Sequence, residues 1–285
     1  MKIAIVGAGG LVGNEFARQL STRHDVLSLK HSDLDITNRE AVTHEVLNER
    51  PALIINCAVL GVDASEHDPS LAWSVNVAGA ENLAQAADAV DADLLQFSSN
   101  YVFDGERSRD SSYTIEDAPT PINEYGQTKL AAERAVSAAA ERCFIVRTSW
   151  VFGDGKNSFF SSVPRSLRLA LRIRAITDVW ASSTYVRDLV PRVMDIVSIR
   201  RYATFHVVNS GLCSYHEFAL EAARILKISE SELTSLIEPL KLSDLQLDAK
   251  RPRYTPLCCK VSEEIGLAPL RDWRAALAEY LREVG

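Results

Sequence analysis

The chain is poor in residues that staple, ligate or tether. Its five cysteines, Cys57, Cys143, Cys213, Cys258 and Cys259, are odd in number and show no Cys-x-x-Cys spacing. That excludes a fully paired disulfide frame and a zinc knuckle, and reads as reduced thiols. The six histidines lack metal-ligand spacing beside cysteine or carboxylate, so no metal is expected. No apolar run approaches the roughly 18 residues of a membrane span, and no signal peptide precedes Ile3-Ala4-Ile5-Val6. A soluble, cytoplasmic protein without a membrane partner is expected. Basic residues are also in deficit: 31 Lys and Arg against 38 Asp and Glu, a net charge of −7. This argues against a nucleic-acid binder, although local cations could still hold an anionic small ligand. Repeats and low-complexity tracts are absent.

What the chain does have is material for one large α/β domain with a smaller lobe: 285 residues, 47% of them hydrophobic. Short apolar strands are expected at Lys2 to Val6, Val26 to Leu29, Leu53 to Cys57, Asp93 to Ser98 and Phe144 to Thr148. Helices alternate with them, at Leu11 to Ser21, Arg39 to Glu49, around Pro69 to Ala89, and Tyr125 to Glu141. This alternation predicts a parallel sheet covered on both faces, the doubly wound (Rossmann) fold, with ligands at the carboxyl ends of the strands. Residues 1–153 are read as the dinucleotide-binding domain, joined by a helix near 186–200 and a strand near 205–209. Residues 154–285 are mostly a discontinuous substrate lobe. In it, Ser158 to Arg172 and Tyr215 to Leu226 read as helices, Glu230 to Leu245 as a polar mixed stretch, and Asp272 to Val284 as a closing amphipathic helix.

Gly7, Gly10 and Gly13 follow a strand and open a helix. Glycines there let backbone approach a pyrophosphate, and the helix N-terminus favours its charge. The spacing is Gly-x-x-Gly-x-x-Gly; the shorter Gly-x-Gly-x-x-Gly pattern fails at Val12. The second strand ends in Leu29-Lys30-His31-Ser32, with no acid at the position that would hold the ribose hydroxyls, although Asp33 and Asp35 are near. That favours NADPH, with NADH possible.

Tyr125 and Lys129 stand four apart, on one face of a helix. An ammonium there favours phenolate and would lower the tyrosine pKa toward working pH, making a general acid or base. Ser98-Ser99 ends the fourth strand, where the Ser99 hydroxyl could hold a substrate oxygen. By itself such a pair of serines is ordinary turn chemistry; with Tyr125 and Lys129 downstream it reads as catalytic. Arg165, Arg168, Arg172 and Arg174, or the later Arg251-Pro252-Arg253, could hold a diphosphate. For the first group a solvated basic face is an equal alternative.

Taken together, Ser98-Ser99-Asn100-Tyr101-Val102-Phe103-Asp104-Gly105, Tyr125-Gly126-Gln127-Thr128-Lys129 and Arg147-Thr148-Ser149-Trp150-Val151-Phe152 resemble the dTDP-4-dehydrorhamnose reductase family of extended short-chain dehydrogenase/reductases. Asn76-Val77, Asn157 to Phe159, Asp178 to Thr184 and Arg251-Pro252 stand where that family or superfamily carries related segments. The resemblance implies reduction of the 4-keto group of a nucleotide-linked 4-keto-6-deoxy sugar in deoxysugar biosynthesis, by a monomer or homodimer. Tyr125 would protonate the forming alkoxide, Lys129 would lower its pKa and bind the nicotinamide ribose, and Ser99 would hold the carbonyl oxygen. Cofactor contacts are implied at Gly7, Gly10, Leu11, Val12, Gly13, Lys30, His31, Asp35, Ile36, Cys57, Ala58, Asn76, Ser98, Tyr125 and Lys129. Substrate contacts are implied at Ser99, Asn100, Phe103, Trp150, Asn157 and Arg251.

Three segments depart from the family pattern. Ser99-Asn100 replaces Thr-Asp, Cys57-Ala58-Val59-Leu60-Gly61 loses an aromatic beside the cofactor, and Asp178 to Thr184 loses a Gln, a Gly and a Pro. The substrate side has thus drifted further than the cofactor side, and the sugar need not be the rhamnose precursor. Two other functions share the scaffold. A 4,6-dehydratase or 4-epimerase is one, and Asn100-Tyr101 standing where dehydratases place Asp-Glu weighs against the dehydratase. The other is a non-catalytic NADP-binding subunit like the methionine adenosyltransferase beta subunit.

Overall fold

The computed structural model describes residues 1–108, 111–155 and 158–284. Five strands of the central sheet follow the expected order: β1 (Lys2–Val6), β2 (Asp25–Leu29), β3 (Leu53–Asn56), β4 (Asp93–Ser99) and β5 (Cys143–Thr148). A sixth, Thr204–His206, pairs with β5. The spatial order is Thr204–His206, β5, β4, β3, β1, β2, and every pairing is parallel. The order reverses between β1 and β3, so the carboxyl ends of these strands open a crevice. β3, β4 and β5 are buried along their whole length, as strands covered on both faces must be.

One face packs on the helices Arg39–Glu49, Gly79–Asp88 and Glu124–Ala139 through Val42, Leu83, Ala87, Ala132 and Val136. The other packs on α1 (Leu11–Leu20) and the helix Val186–Ile199 through Phe16, Leu189, Val193 and Ile196. A third apolar cluster lies apart from the sheet, around Phe152, Phe160, Phe218, Trp273 and Tyr280. Among the described residues no helix is long and apolar enough to cross a membrane.

Three stretches differ from the sequence expectation. The helix Pro69 to Ala89 is not uniform: Ser74–Ala78 widens into a π turn between α-helical halves. Asn76 on that turn explains it, because its side chain reaches both the Leu60 backbone and the Thr128 hydroxyl, and such widened turns are recurrent at functional sites. The helix expected to run to Arg172 stops at Arg168; Ala170 takes a left-handed φ of 49°, and Ile173–Ile176 becomes a strand. Its partner, Ile237–Leu240, lies in the stretch read as merely polar. That stretch opens with a helix, Glu230–Leu236, capped reciprocally by Ser229 and Glu232, a Ser-x-x-Glu signal that was legible.

Candidate active site

The glycine loop is shaped by contact. Gly7 has φ +77°, and a Cβ on it would sit 2.6 Å from the Ala58 nitrogen; one on Gly13 would sit 2.5 Å from the Gly7 carbonyl oxygen. A side chain at Gly7 would collide with the Cys57–Ala58 backbone, and one at Gly13 would push α1 away from the loop. Gly10 precedes α1 without any side-chain cap, and the first turn carries no acid. The leading N–H groups, those of Leu11 and Val12 among them, therefore remain available to an anion. These features fit a dinucleotide diphosphate.

At the end of β2 the two nearby acids are already engaged by backbone. Asp33 accepts from the Lys30 N–H at 2.9 Å, and Asp35 accepts from the Thr37 N–H at 3.0 Å and its hydroxyl at 2.8 Å. The Thr37 N–H bond, with the hydroxyl behind it, holds the Asp35 carboxyl below its usual range. Lys30 and His31 stay exposed, which suits a 2′-phosphate better than bare ribose hydroxyls. Ile36 is buried against Gly79, and its carbonyl accepts from Asn82 at 2.9 Å.

The helix Glu124–Ala139 brings Tyr125 and Lys129 to the ends of β3 and β4. Its N-cap is Asn123, whose Oδ1 accepts from the Gly126 N–H at 2.7 Å. Thr128 donates to the Tyr125 carbonyl and accepts from Asn76, tying this helix to the π turn. The Ser99 hydroxyl, at the end of β4, donates to Asn100 and accepts from the Tyr101 N–H, and it stands close enough to the Tyr125 phenol to influence its titration. Burial raises the Tyr125 pKa, and Ser99 pulls it partly back. The lowering influence expected of Lys129 comes instead from Ser99, and the net direction is upward because desolvation is the larger cause. Lys129 is itself 3% exposed. Burial brings its pKa down to about 8, against the opposing pull of Glu133 and Cys57. The site therefore offers a protonated phenol beside a hydroxyl, with a lysine one turn along the same helix. That arrangement can bind a carbonyl oxygen and deliver a proton to it.

Several predicted residues hold the site rather than face it. The Ser98 hydroxyl donates to Glu133, so its proton is committed within the protein. Glu133 also receives both Nε and Nη2 of Arg147, at 2.8 and 2.7 Å, with both residues 5% exposed. Removing one partner of such a pair strands a buried charge at a cost of about 3–5 kcal/mol. Asn76 gives its amide to Leu60 and Thr128, and it is 2% exposed. Cys57 and Ala58 close the floor of the glycine loop, the latter through Asn56. Asn100 accepts from Ser99 at 3.2 Å and donates to Thr255 at 2.6 Å. Phe103 is a correction: it is fully buried, stacked 4.2 Å from Tyr113 and beneath Arg147, so it cannot line a substrate pocket.

Trp150 and Arg251 meet residues from distant segments of the chain. Trp150 takes a left-handed φ of 41°, a strain of about 1–3 kcal/mol for such a residue. Its ring is stacked 4.6 Å from Phe160 and lies 4.4 Å from Tyr215. Arg251 donates to both oxygens of Asp63, at 2.6 and 2.7 Å. Burial works against its charge, but neighbouring Tyr101 and Asp63 outweigh it and its pKa is raised. The Tyr101 ring meets Tyr125 edge-on at 5.6 Å. Asn157 lies outside the described residues. The first arginine group is elsewhere: Arg168 donates to the Leu281 and Val284 carbonyls, and Arg172 and Arg174 flank Glu238. Among the described residues, no cluster of His, Cys, Asp or Glu could hold a metal ion.

Sequence reasoning missed Tyr101, Asp63, Tyr215, Thr255 and Glu133. Glu133 had a signal, lying one further turn along the Tyr125–Lys129 face. The others come from distant segments, and spacing carries no trace of them.

Comparison with known proteins adds the lineage. The family model described as the RmlD substrate binding domain matches residues 1–285. The chain is 38% identical over 287 aligned residues to a dTDP-4-dehydrorhamnose reductase of Mycolicibacterium smegmatis, covering 99% of this chain and 86% of that one. It is 31% identical to a dTDP-4-keto-6-deoxy-D-glucose reductase of Streptomyces niveus, covering 96% and 94%. The crystal structure of dTDP-4-dehydrorhamnose reductase from Bacillus anthracis in complex with NADP superimposes with a TM-score of 0.93 at 32% identity, covering 99% of each chain.

Proposed function

We propose that this chain, which belongs to the RmlD substrate binding domain family, is an NADPH-dependent reductase. Its substrate is the 4-keto group of a nucleotide-linked 4-keto-6-deoxy sugar. The observation that carries this reading is the Tyr125 phenol beside the Ser99 hydroxyl, its pKa raised by desolvation, with the buried Lys129 one turn away on the same helix. A reductase must deliver a proton to an oxygen, so its acid must be protonated at working pH. A phenol with a raised pKa meets that need.

When bound, the reduced nicotinamide supplies the hydride that adds to the carbonyl carbon. Ser99 and Tyr125 hold the carbonyl oxygen where charge develops, and Tyr125 gives it the proton. Lys129 stabilises the phenolate left behind and is placed to meet the nicotinamide ribose. Gly7, Gly10, Leu11, Val12 and Gly13 hold the diphosphate. Lys30 and His31 meet the 2′-phosphate, and Asp35 and Ile36 border the adenosine. Cys57 and Ala58 floor the site, while Asn76 and Ser98 fix the elements that carry it. On the substrate side Trp150 packs on the sugar, and Arg251 meets the diphosphate of the nucleotide sugar. Residues 1–153, with the helix Val186–Ile199 and the strand Thr204–His206, form the nucleotide domain; most of the remainder forms the substrate lobe.

The deciding experiment is NADPH oxidation at 340 nm with dTDP-4-keto-6-deoxyglucose supplied together with its epimerase. Substrate-dependent oxidation, with a C4 alcohol identified by NMR, supports the reading. A protein that binds NADPH and oxidises none of it with nucleotide keto sugars of this class overturns it.

A further inference from the structure

Tyr125, Lys129 and Glu133 are spaced by four on one helix face, and the reduction scheme uses only the first two. Glu133 is the most constrained of the three. Its Oε1 accepts from Ser98 on β4 and from Arg147 Nε on β5, and its Oε2 accepts from Arg147 Nη2. Both oxygens are thus pinned from two strands, and the carboxylate cannot swing toward a ligand. It is a fixed negative charge one turn behind Lys129. The other titratable group acting on Lys129 is the Cys57 thiol, kept neutral by burial, while Tyr125 stands one turn before it on the same helix.

We propose that Glu133 is a positioning residue of the reductase centre, keeping the buried Lys129 a charged ammonium beside Tyr125. The proposal rests on the reductase reading above. A buried lysine without a compensating anion sheds its proton. A neutral amine could neither stabilise phenolate nor meet the ribose as an ammonium does. Glu133 opposes the desolvation that drives this loss. Because Arg147 and Ser98 anchor Glu133, its charge stays in place as cofactor enters and leaves.

The test is the pH profile of kcat for Glu133→Gln beside the unaltered enzyme. In the latter the basic limb falls near the Lys129 pKa of about 8. The variant should show that limb displaced downward by about one pH unit or more, with kcat at pH 8 falling at least severalfold and KM changing less. Since the single change strands Arg147, the double variant Glu133→Gln/Arg147→Gln is measured as well; it removes both buried charges together. A downward shift in either folded variant supports the proposal. An unmoved basic limb in a folded variant reduces Glu133 to a structural ion pair and overturns it. Failure of the unaltered enzyme to reduce the keto sugar is a separate result, which overturns the reductase reading itself.

Discussion

The amide nitrogen of Asn100 lies 2.6 Å from the hydroxyl oxygen of Thr255, which comes 155 residues later in the chain. Asn100 is 2% exposed and Thr255 1%. The same amide accepts from Ser99 through its oxygen, so a lobe strand, Tyr254–Thr255, reaches the Ser99 hydroxyl through one side chain. An aspartate could not donate to Thr255 while accepting from Ser99. The asparagine thus has a physical role at the point where the chain departs from its family's pattern.

Thr255→Val tests that link. It leaves a buried amide N–H without an acceptor, at a cost of about 1–3 kcal/mol. Thermal unfolding should register a lower midpoint, and kcat should drop severalfold as Ser99 loses its fixed neighbour. Unchanged values of both would mean that Asn100 is held by other contacts.

Tyr125→Phe removes the phenol hydroxyl but keeps the ring that packs on Tyr101. It should lower kcat by about 10²–10⁴ while NADPH affinity, read by fluorescence titration, stays near its original value. Turnover close to that of the unaltered protein would exclude Tyr125 as the acid.

Lys30→Ala addresses the choice of cofactor. With Asp33 and Asp35 engaged by backbone, the exposed Lys30 charge is the feature expected to separate NADPH from NADH. Loss of one charge-assisted contact should weaken NADPH binding about tenfold or more and leave NADH binding nearly unchanged. Equal losses for both would place Lys30 away from the 2′-phosphate.

His206 gives a prediction for acid stability. Burial, reinforced by the neighbouring Arg147 charge, pushes its pKa from 6.5 down to about 3. Below pH 6.5 the unfolded chain takes up a proton that the folded chain refuses, so stability falls as pH drops toward 3. In His206→Gln the fall in melting temperature between pH 7 and pH 5 should be smaller than in the unaltered protein. An equal fall would assign the acid sensitivity to other groups.

Local signals alone determined the sheet and one half of the site. The strands β1 to β5 are short apolar runs, the glycines sit between a strand and a helix, and Tyr125 and Lys129 lie a fixed four residues apart. Each is a periodicity or spacing that the backbone converts directly into geometry. What only the tertiary structure decided involves partners far apart in sequence. Burial, which depends on the packed neighbours, made Phe103 a core residue and left Trp150 half-buried against Phe160 and Tyr215. Packing of β4 and β5 against one helix gave Ser98 and Arg147 to Glu133. The lobe brought Thr255 to Asn100, and Arg251 to Asp63. Spacing along a chain carries no information about such meetings, because they depend on how the helices and the lobe pack around the sheet.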